Sequence, residues 1–384
     1  AGVFIGFRLL PIDAVPDITN NQVQINTTIS GLAPEEIERS ITIPMETAMR
    51  GLAHIEEVRS ITRSGLSQVT IVFDDGIALY QARQMVSERL QGVMKQLPDR
   101  AETELGPVST GLGEIYQYTL DYKDKAQDPV KRFEQLVALR TLHDWTLKPR
   151  LLTVAGIAEI NSSGGYEKVF QIKPDIAQMQ RYGISFDALR SAINKVNRNV
   201  GGGIVQQTGE QFLVQGIGLF KGTDDIANIP IKQLESLQMI RLGEVATIAM
   251  GKEQRSGAAT LNGEEVVLGT AMMLLGENSR TVATRFDAKI KEVSETLPAE
   301  FELKPVYNRS VLVDQTLGTV EHNLLMGALL VTVVLMLLLG NIRAAIITAL
   351  TIPLTLCVTF LIMRPLGISG NLMSLGALDF GMIV

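Results

Sequence analysis

Residues 21–37 have the sequence NQVQINTTISGLAPEEI, and this stretch sets the pattern for the fold of the region that follows. Polar and apolar side chains alternate over residues 21–29, which predicts a strand with one buried face. Pro34, Glu35 and Glu36 then open a helix, because proline suits the first turn and carboxylates suit the positive end of the helix dipole. The stretch therefore predicts a strand followed by a helix.

The next segments extend this pattern into a complete module. Two strands are predicted at 55–62 and 68–73, hinged at Gly65. An amphipathic helix over 78–97 follows them and ends at Pro98. The order β-α-β-β-α suits a split β-α-β module, in which helices cover one face of an antiparallel sheet.

A similar order repeats in the next part of the chain. Its predicted elements are strands at 115–120, 158–162 and 301–307, helices at 133–147 and 279–297, the second capped by Asn278, and a hairpin at 257–275 that turns at Asn262-Gly263. Residues 164–254 interrupt this repeat with a helix at 186–196, a glycine run and further short strands. We interpret this interruption as a domain inserted into the second module.

Composition and motifs exclude several functional classes. The net charge of −6 argues against a nucleic-acid interface, which needs a concentrated basic face. The single cysteine, Cys357, excludes a disulfide framework. The run 201–203 is three glycines without any phosphate-binding motif around it, so it predicts a flexible turn that leads into a hairpin, not an ATP site. The sequence shows no nucleophile–base set and no metal triad, so a soluble enzyme is not favoured. No cofactor is expected.

Long apolar runs near the C-terminus predict membrane helices. Helices are predicted at 322–342 and 344–363, because each contains about 20 residues of apolar sequence, enough to cross a bilayer. A further membrane segment begins at 368 and continues to 384. Residues 1–8 are expected to be the end of another membrane helix, so the chain is expected to be a fragment of a longer membrane protein.

Asp379 lies inside the last of these apolar segments. A carboxylate at membrane depth costs about 2.5–3.5 kcal/mol on insertion scales, so such a residue is usually retained for a task, most often proton or cation relay. Two simpler interpretations stay open at this stage. The carboxylate could cap the start of a helix, or a partner Lys or Arg could neutralise it.

Several local sequences, taken in order and spacing, resemble one transporter family. They are LPIDAVPDI at 10–18, GLGEIY at 111–116, LRTLHDW at 139–145, YNRS at 307–310 with LVD at 312–314, and GALDFG at 376–381. Together they resemble the heavy-metal efflux branch of the RND (resistance–nodulation–cell division) transporters, of the zinc–cobalt–cadmium type. The resemblance covers essentially the whole chain.

The resemblance implies an α+β fold of ferredoxin-like β-α-β-β-α-β porter modules with an inserted docking domain, plus transmembrane helices. The implied parts are porter module 1 at 19–110, porter module 2 at 111–163 and 255–308, and the docking domain at 164–254. Family members are homotrimeric proton antiporters of the inner membrane, with a large periplasmic region. They work with a periplasmic adaptor and an outer-membrane channel. The resemblance also implies the orientation, which Arg343 and Arg364 in the short loops leave open.

The resemblance also implies site residues. Asp379 matches the first aspartate of a helix-4 motif whose second aspartate would follow Val384, and two close carboxylates raise the pKa of one of them. This predicts Asp379 as a proton relay. Glu114 and Asp144 match positions expected to bind the transported cation, namely zinc, cobalt, cadmium or nickel. The alternative is a strand-edge Glu and a helix-surface Asp. His143 is the weaker candidate, because neighbouring helical positions diverge by about 100°.

Three competing functions remain. A copper(I) or silver pump would need clustered soft ligands, whereas Met272 and Met273 are adjacent on a predicted strand and point to opposite faces. A multidrug exporter would need aromatic pockets, yet Trp145 is the only tryptophan. A non-transporting scaffold would not need Asp379 within the membrane. Arg309 and Asp314 are expected to form a structural joint rather than a substrate site.

Overall fold

The structure is a computed structural model that describes residues 19–363, apart from 110, 208–209, 217, 235–236, 253–254, 256 and 341. The described chain is mixed α/β and divides into two compact units. The first unit contains the described residues up to 119, together with 147–161 and those from 269 onward. The second unit contains 120–146 and 162–268.

The first sheet has four antiparallel strands. In spatial order they are Ile55–Arg63, Leu66–Phe73, Gln22–Thr28 and Glu102–Leu105. The first three agree with the sequence prediction within one or two residues. The fourth strand was not predicted, because it is short, carries two glutamates and lies at the sheet edge, where charged side chains discourage further pairing.

Helices cover this sheet through a shared apolar core. The helical segments are Pro34–Ile37, the π-helical Glu38–Thr42, Ile43–Met49 and Leu79–Met94. The buried side chains that join them to the strands include Val23, Ile25, Ile37, Ile41, Met45, Met49, Ile71, Phe73, Val86 and Leu90. Full burial of such a side chain contributes about 1.5–3 kcal/mol. The order β-α-β-β-α predicted for this region is therefore present and is completed by the edge strand.

The second sheet contains five strands. In spatial order four of them are Ala259–Leu261, Glu264–Met273, Glu114–Tyr122 and Phe301–Asn308, and Ile157–Ser163 also pairs with Glu264–Met273. The predicted hairpin turn is confirmed, since Asn262 and Gly263 both have positive φ, 54° and 85°, as a two-residue type I′ turn requires. The helical segments that accompany these strands are Gly111–Gly113, Pro129–Leu142, the π-helical His143–Leu147, Lys148–Leu151 and Ser279–Thr296.

The helix Ser279–Thr296 packs against the first half of the strand Glu114–Tyr122. The ring centroid of Phe286 lies 5.1 Å from the ring centroid of Tyr116 and 6.1 Å from that of Tyr118. The Tyr116 hydroxyl donates a 2.6 Å hydrogen bond to Asp287 Oδ1. Burial is the larger cause and this carboxylate the smaller, and together they raise the pKa of Tyr116 far above its usual range. The helix begins at the predicted cap, because Asn278 Oδ1 accepts the backbone N–H of Thr281 at 3.0 Å.

Residues 164–254 contain the segments expected in the insertion. The strands are Lys168–Pro174, Val200–Gln207, Glu210–Gly216, Pro230–Gln233, Met239–Arg241 and Ala246–Lys252, and the helices are Ile176–Tyr182, Phe186–Val196, Thr223–Ala227 and Leu242–Val245. The glycine run lies inside the strand Val200–Gln207, not in a turn before it. The strand register shifts between Gly201 and Ile204, so the glycines accompany a bulge.

Two helices follow the last strand, at Arg309–Leu339 and Ile342–Met363. Counting only the residues that the structure describes, no helix is both long and apolar enough to cross a membrane. The spans predicted at 322–342 and 344–363 are not confirmed by this finding. The segments predicted at 1–8 and 368–384 lie outside the described residues.

Gly164 sits at a tight approach of two backbones in the second unit. It is buried, has a φ of +78°, and a Cβ placed on it would lie 2.2 Å from the carbonyl oxygen of Val266. Only glycine can occupy this position without moving the neighbouring strand. Gly263 is a natural comparison, because its φ of +85° is similar but nothing lies within 4 Å of its hypothetical Cβ.

We expect Gly164→Ala to lower the free energy of unfolding by about 2–4 kcal/mol, because it adds a backbone clash to the left-handed strain. Gly263→Ala should lower it by about 1–2 kcal/mol, through the strain alone. The melting temperatures of the two variants, measured by scanning calorimetry, should therefore fall in this order. Equal shifts would contradict the importance of the close approach.

Candidate metal site

Glu114 opens the strand Glu114–Tyr122 directly after the 3₁₀ turn Gly111–Gly113. It is half-buried, and Gln117 Nε2 donates a hydrogen bond to its Oε1. Gly113 is buried, and a Cβ on it would lie 3.1 Å from the carbonyl oxygen of Met273. The start of the strand is therefore packed closely against its neighbour, while the carboxylate itself is held by a neutral amide.

Arg309 also holds this turn. Its side chain is buried, and Nη1 donates to the carbonyl oxygen of Leu112 and, at 3.4 Å, to that of Glu114. Asp314 Oδ1 is 2.7 Å from Arg280 Nε on the preceding helix. These contacts are those of the structural joint that the sequence predicts for Arg309 and Asp314.

Three donors surround the Asp144 carboxylate. Arg140 Nε donates to Oδ2 at 2.6 Å, and the Ser162 hydroxyl donates to Oδ1 at 2.5 Å. His143 Nδ1 lies 3.0 Å from Oδ1. Because an ionised carboxylate only accepts hydrogen bonds, Nδ1 must carry the proton. Asp144 is thus an anion that accepts hydrogen bonds from three protein groups, not a bare helix-surface carboxylate.

These contacts control the charge of Asp144. Burial alone would raise its pKa, but the hydrogen bonds from His143, Ser162 and Arg140, with the positive charge of Arg140, together outweigh burial and lower the pKa well below its usual range. Asp144 therefore stays ionised at every physiological pH. Its negative charge attracts cations, and a bound metal would share the carboxylate oxygens with these donors.

His143 contacts Asp144 directly, contrary to the argument from ideal helix geometry. The residue is fully buried, and Ser162 Oγ lies 3.0 Å from Nδ1. The segment His143–Leu147 is π-helical, so the angle between successive residues differs from that of an α-helix. The imidazole supports the carboxylate from inside the fold.

The predicted ligands Glu114 and Asp144 belong to different compact units, and each is described above with its own partners. Within the described residues, no group of three or more His, Cys, Asp or Glu side chains could hold a metal ion. The structure therefore places two carboxylates but does not complete a ligand set. Asp379, the predicted relay, lies outside the described residues.

Sequence reasoning did not identify the residues that hold these two carboxylates. Arg140 precedes Asp144 by four helical positions, a spacing that predicts an ion pair, so this partner could have been found. Ser162 is distant in sequence and belongs to another strand, and Gln117 has no distinguishing local signal. Neither could have been identified without the three-dimensional structure.

A comparison with known proteins decides the family. The family model for AcrB/AcrD/AcrF matches residues 1–384. The chain belongs to the AcrB/AcrD/AcrF family. Protein HelA of Legionella pneumophila is 52% identical over 383 residues, which cover 100% of this chain and 36% of that protein. The cobalt-zinc-cadmium resistance protein CzcA of Cupriavidus metallidurans is 46% identical over 383 residues, with the same coverage of 100% and 36%.

A solved structure agrees with this assignment. The crystal structure of a heavy metal efflux pump matches with a TM-score of 0.87 at 36% identity, covering 99% of this chain and 37% of that one. The resemblance to the heavy-metal efflux branch of the RND transporters is thus confirmed. The chain spans a little over a third of the length of these relatives.

The charge of Asp144 should stabilise the fold at neutral pH but not in acid, and Asp144→Asn should remove this contribution. The folded-state pKa of Asp144 lies below its ordinary value of 3.8, so the stability it provides is present above that pH and is lost as the pH falls below it. We expect wild type to melt at a higher temperature than Asp144→Asn at pH 7. The difference should shrink when the pH is lowered from 4 to 2.5.

Asp314→Asn is the control, because its ion pair with Arg280 is about half exposed and contributes little. Its melting temperature should follow that of wild type at every pH. A gap between wild type and Asp144→Asn that stays constant through this acid range would contradict the assignment of the charge.

Proposed function

We propose that this chain forms part of a secondary transporter that uses the proton gradient to expel divalent heavy-metal cations. The observation that carries the proposal is the 46% identity, along the full length of this chain, to a cobalt-zinc-cadmium resistance protein. The activity belongs to the whole protein, since the chain covers 36% of that relative. The cargo expected from the sequence is zinc, cobalt, cadmium or nickel.

The proposed architecture has a porter module at 19–110, a second at 111–163 and 255–308, and a docking domain at 164–254. The strand order of the first sheet supports the first module, because the β-α-β-β-α-β order with these neighbours suits a ferredoxin-like unit. The insertion between the strands Ile157–Ser163 and Ala259–Leu261 supports the proposed docking domain.

We place the protein in the cell inner membrane, with the porter modules and docking domain in the periplasm. Support comes from the sequence, where the runs 324–342 and 344–363 contain no charged residue and are separated only by Arg343. Trimer formation and assembly with a periplasmic adaptor and an outer-membrane channel are proposed from the family. Asp379 would take up a proton from one side and release it to the other.

Glu114 and Asp144 are the proposed cation ligands. Both present carboxylate oxygens, which suit borderline divalent ions better than soft monovalent ones. The copper or silver alternative has less support, because Met273 is buried in the core and its neighbour Met272 lies on the other side of the strand. A multidrug exporter has less support too, since Trp145, the only tryptophan, is 81% exposed.

The relay role is tested by Asp379→Asn in the full-length pump, reconstituted in proteoliposomes. We expect loss of zinc transport driven by a pH gradient, by about 100-fold or more, because an amide cannot exchange a proton in this range. Zinc binding to the detergent-solubilised pump should change less than twofold. Asp99→Asn, an exposed carboxylate, is the control. Unchanged proton-driven transport by Asp379→Asn would exclude the relay role.

The ligand role is tested by the double change Glu114→Ala with Asp144→Ala. We expect zinc affinity to fall by about 10–100-fold, since two carboxylate ligands are removed. The control removes two exposed carboxylates, Asp99→Ala with Asp187→Ala, and so makes the same change in net charge. Zinc titration with a competing chelator measures both variants. Equal affinities would show that these carboxylates do not bind the cargo.

A further inference from the structure

Arg309 has an unusual environment for a charged side chain. It is 5% exposed, and its Nη1 donates to the carbonyl oxygens of Leu112 and Glu114. A buried guanidinium needs strong acceptors, and these two carbonyls lie on either side of Gly113. The guanidinium therefore bridges the turn at the point where the strand that carries Glu114 begins.

The backbone of Met273 also restrains this turn. A Cβ on Gly113 would lie only 3.1 Å from the carbonyl oxygen of Met273, so the backbone here has little room to move. The strand start is thus in contact with both the Met273 backbone and the Arg309 guanidinium. We expect a change at either one to shift the Cα of Glu114 and hence its carboxylate.

Arg309 is also the first residue of the helix Arg309–Leu339. The preceding residue, Asn308, caps this helix by accepting the backbone N–H of Ser310 at 3.0 Å. The chain therefore passes from the last strand into the helix without a loop. The Arg309 side chain joins the first turn of this helix to the backbone of Glu114.

We propose that Arg309 is a positioning residue for Glu114, which sets the affinity of that carboxylate for the transported cation. This inference rests on the proposed role of Glu114 as a cation ligand. Arg309 does not touch the cation itself. It fixes the backbone from which the ligand projects, and it ties that backbone to the start of the helix.

A double-mutant cycle separates positioning from general stabilisation. Zinc affinity is measured for the full-length trimeric pump, by competition with a chelating dye, in wild type, Arg309→Met, Glu114→Gln and the double variant. We expect Arg309→Met to weaken binding by about tenfold in the wild-type background but less than twofold in the Glu114→Gln background. Two residues that act through one ligand are non-additive, whereas independent effects on the fold add.

Arg280→Met is the matched control. It removes an arginine whose partner, Asp314, lies on the helix that begins at Arg309. The contacts of Arg309 itself stay in place. We expect zinc affinity within twofold of wild type. A tenfold loss in this control would mean that any disturbance of the helix start weakens binding, and would overturn a specific role for Arg309.

Gly113→Ala gives a second test that keeps the buried charge. It should move the same strand start by contact with Met273, and so weaken zinc binding severalfold in the wild-type background only. This variant carries the test if Arg309→Met does not assemble as a trimer. Equal losses in both backgrounds, for whichever variant assembles, would overturn the positioning role and leave Glu114 as a ligand. No effect of Glu114→Gln itself would instead remove Glu114 from the proposed function, and the inference with it.

Discussion

The fold depends on one constraint, the burial of an apolar face of the first sheet beneath its helices. Strand positions alternate, so Val23 and Ile25 point into the same core. Ile37 and Ile41 are four positions apart and face that core from the helical run. Each such side chain contributes about 1.5–3 kcal/mol, a large fraction of the about 5–15 kcal/mol by which a domain is stable. This core fixes the sheet from which the rest of the first unit extends.

The same patterns explain which elements could be predicted from the sequence. Strands with a strong alternation, such as Gln22–Thr28, and turns with special chemistry, such as Asn262-Gly263, have local signals that match their structures. The edge strand Glu102–Leu105 has no such signal, since its residues are mostly polar and its pairing depends on a distant strand. The π-helical segments Glu38–Thr42 and His143–Leu147 depend on packing rather than on propensity.

The candidate ligands follow the same division between local and distant information. The two carboxylates can be read from the sequence, and the four-residue spacing of Arg140 and Asp144 predicts the ion pair between them. It contains no sign that Ser162 completes the shell of Asp144. A contact made by a strand far along the chain is a property of the fold. Positions of candidate residues are therefore easier to predict than their charge and availability.

Three buried ionisable groups lie close to places where the chain passes from one element to the next. Asp121, at a strand end, is 6% exposed and accepts from Arg132 at 2.9 Å, while His143 follows the helix Pro129–Leu142 and Arg309 follows the last strand. Apolar contacts tolerate small displacements, but a buried donor without its acceptor is costly. The contacts of these groups therefore restrict the arrangement of each joint.

The two candidate ligands differ in which part of the residue is restrained, the carboxylate or the backbone. At Asp144 the carboxylate itself is engaged, by a guanidinium, an imidazole and a hydroxyl, so an arriving cation must compete with these donors and with the positive charge of Arg140. At Glu114 the backbone is engaged, while the carboxylate accepts from the neutral amide of Gln117. Exchange of an amide for a divalent cation costs less than displacement of a guanidinium. Glu114 is therefore the more available of the two candidates, with its backbone held by Arg309, whereas Asp144 provides a fixed negative charge.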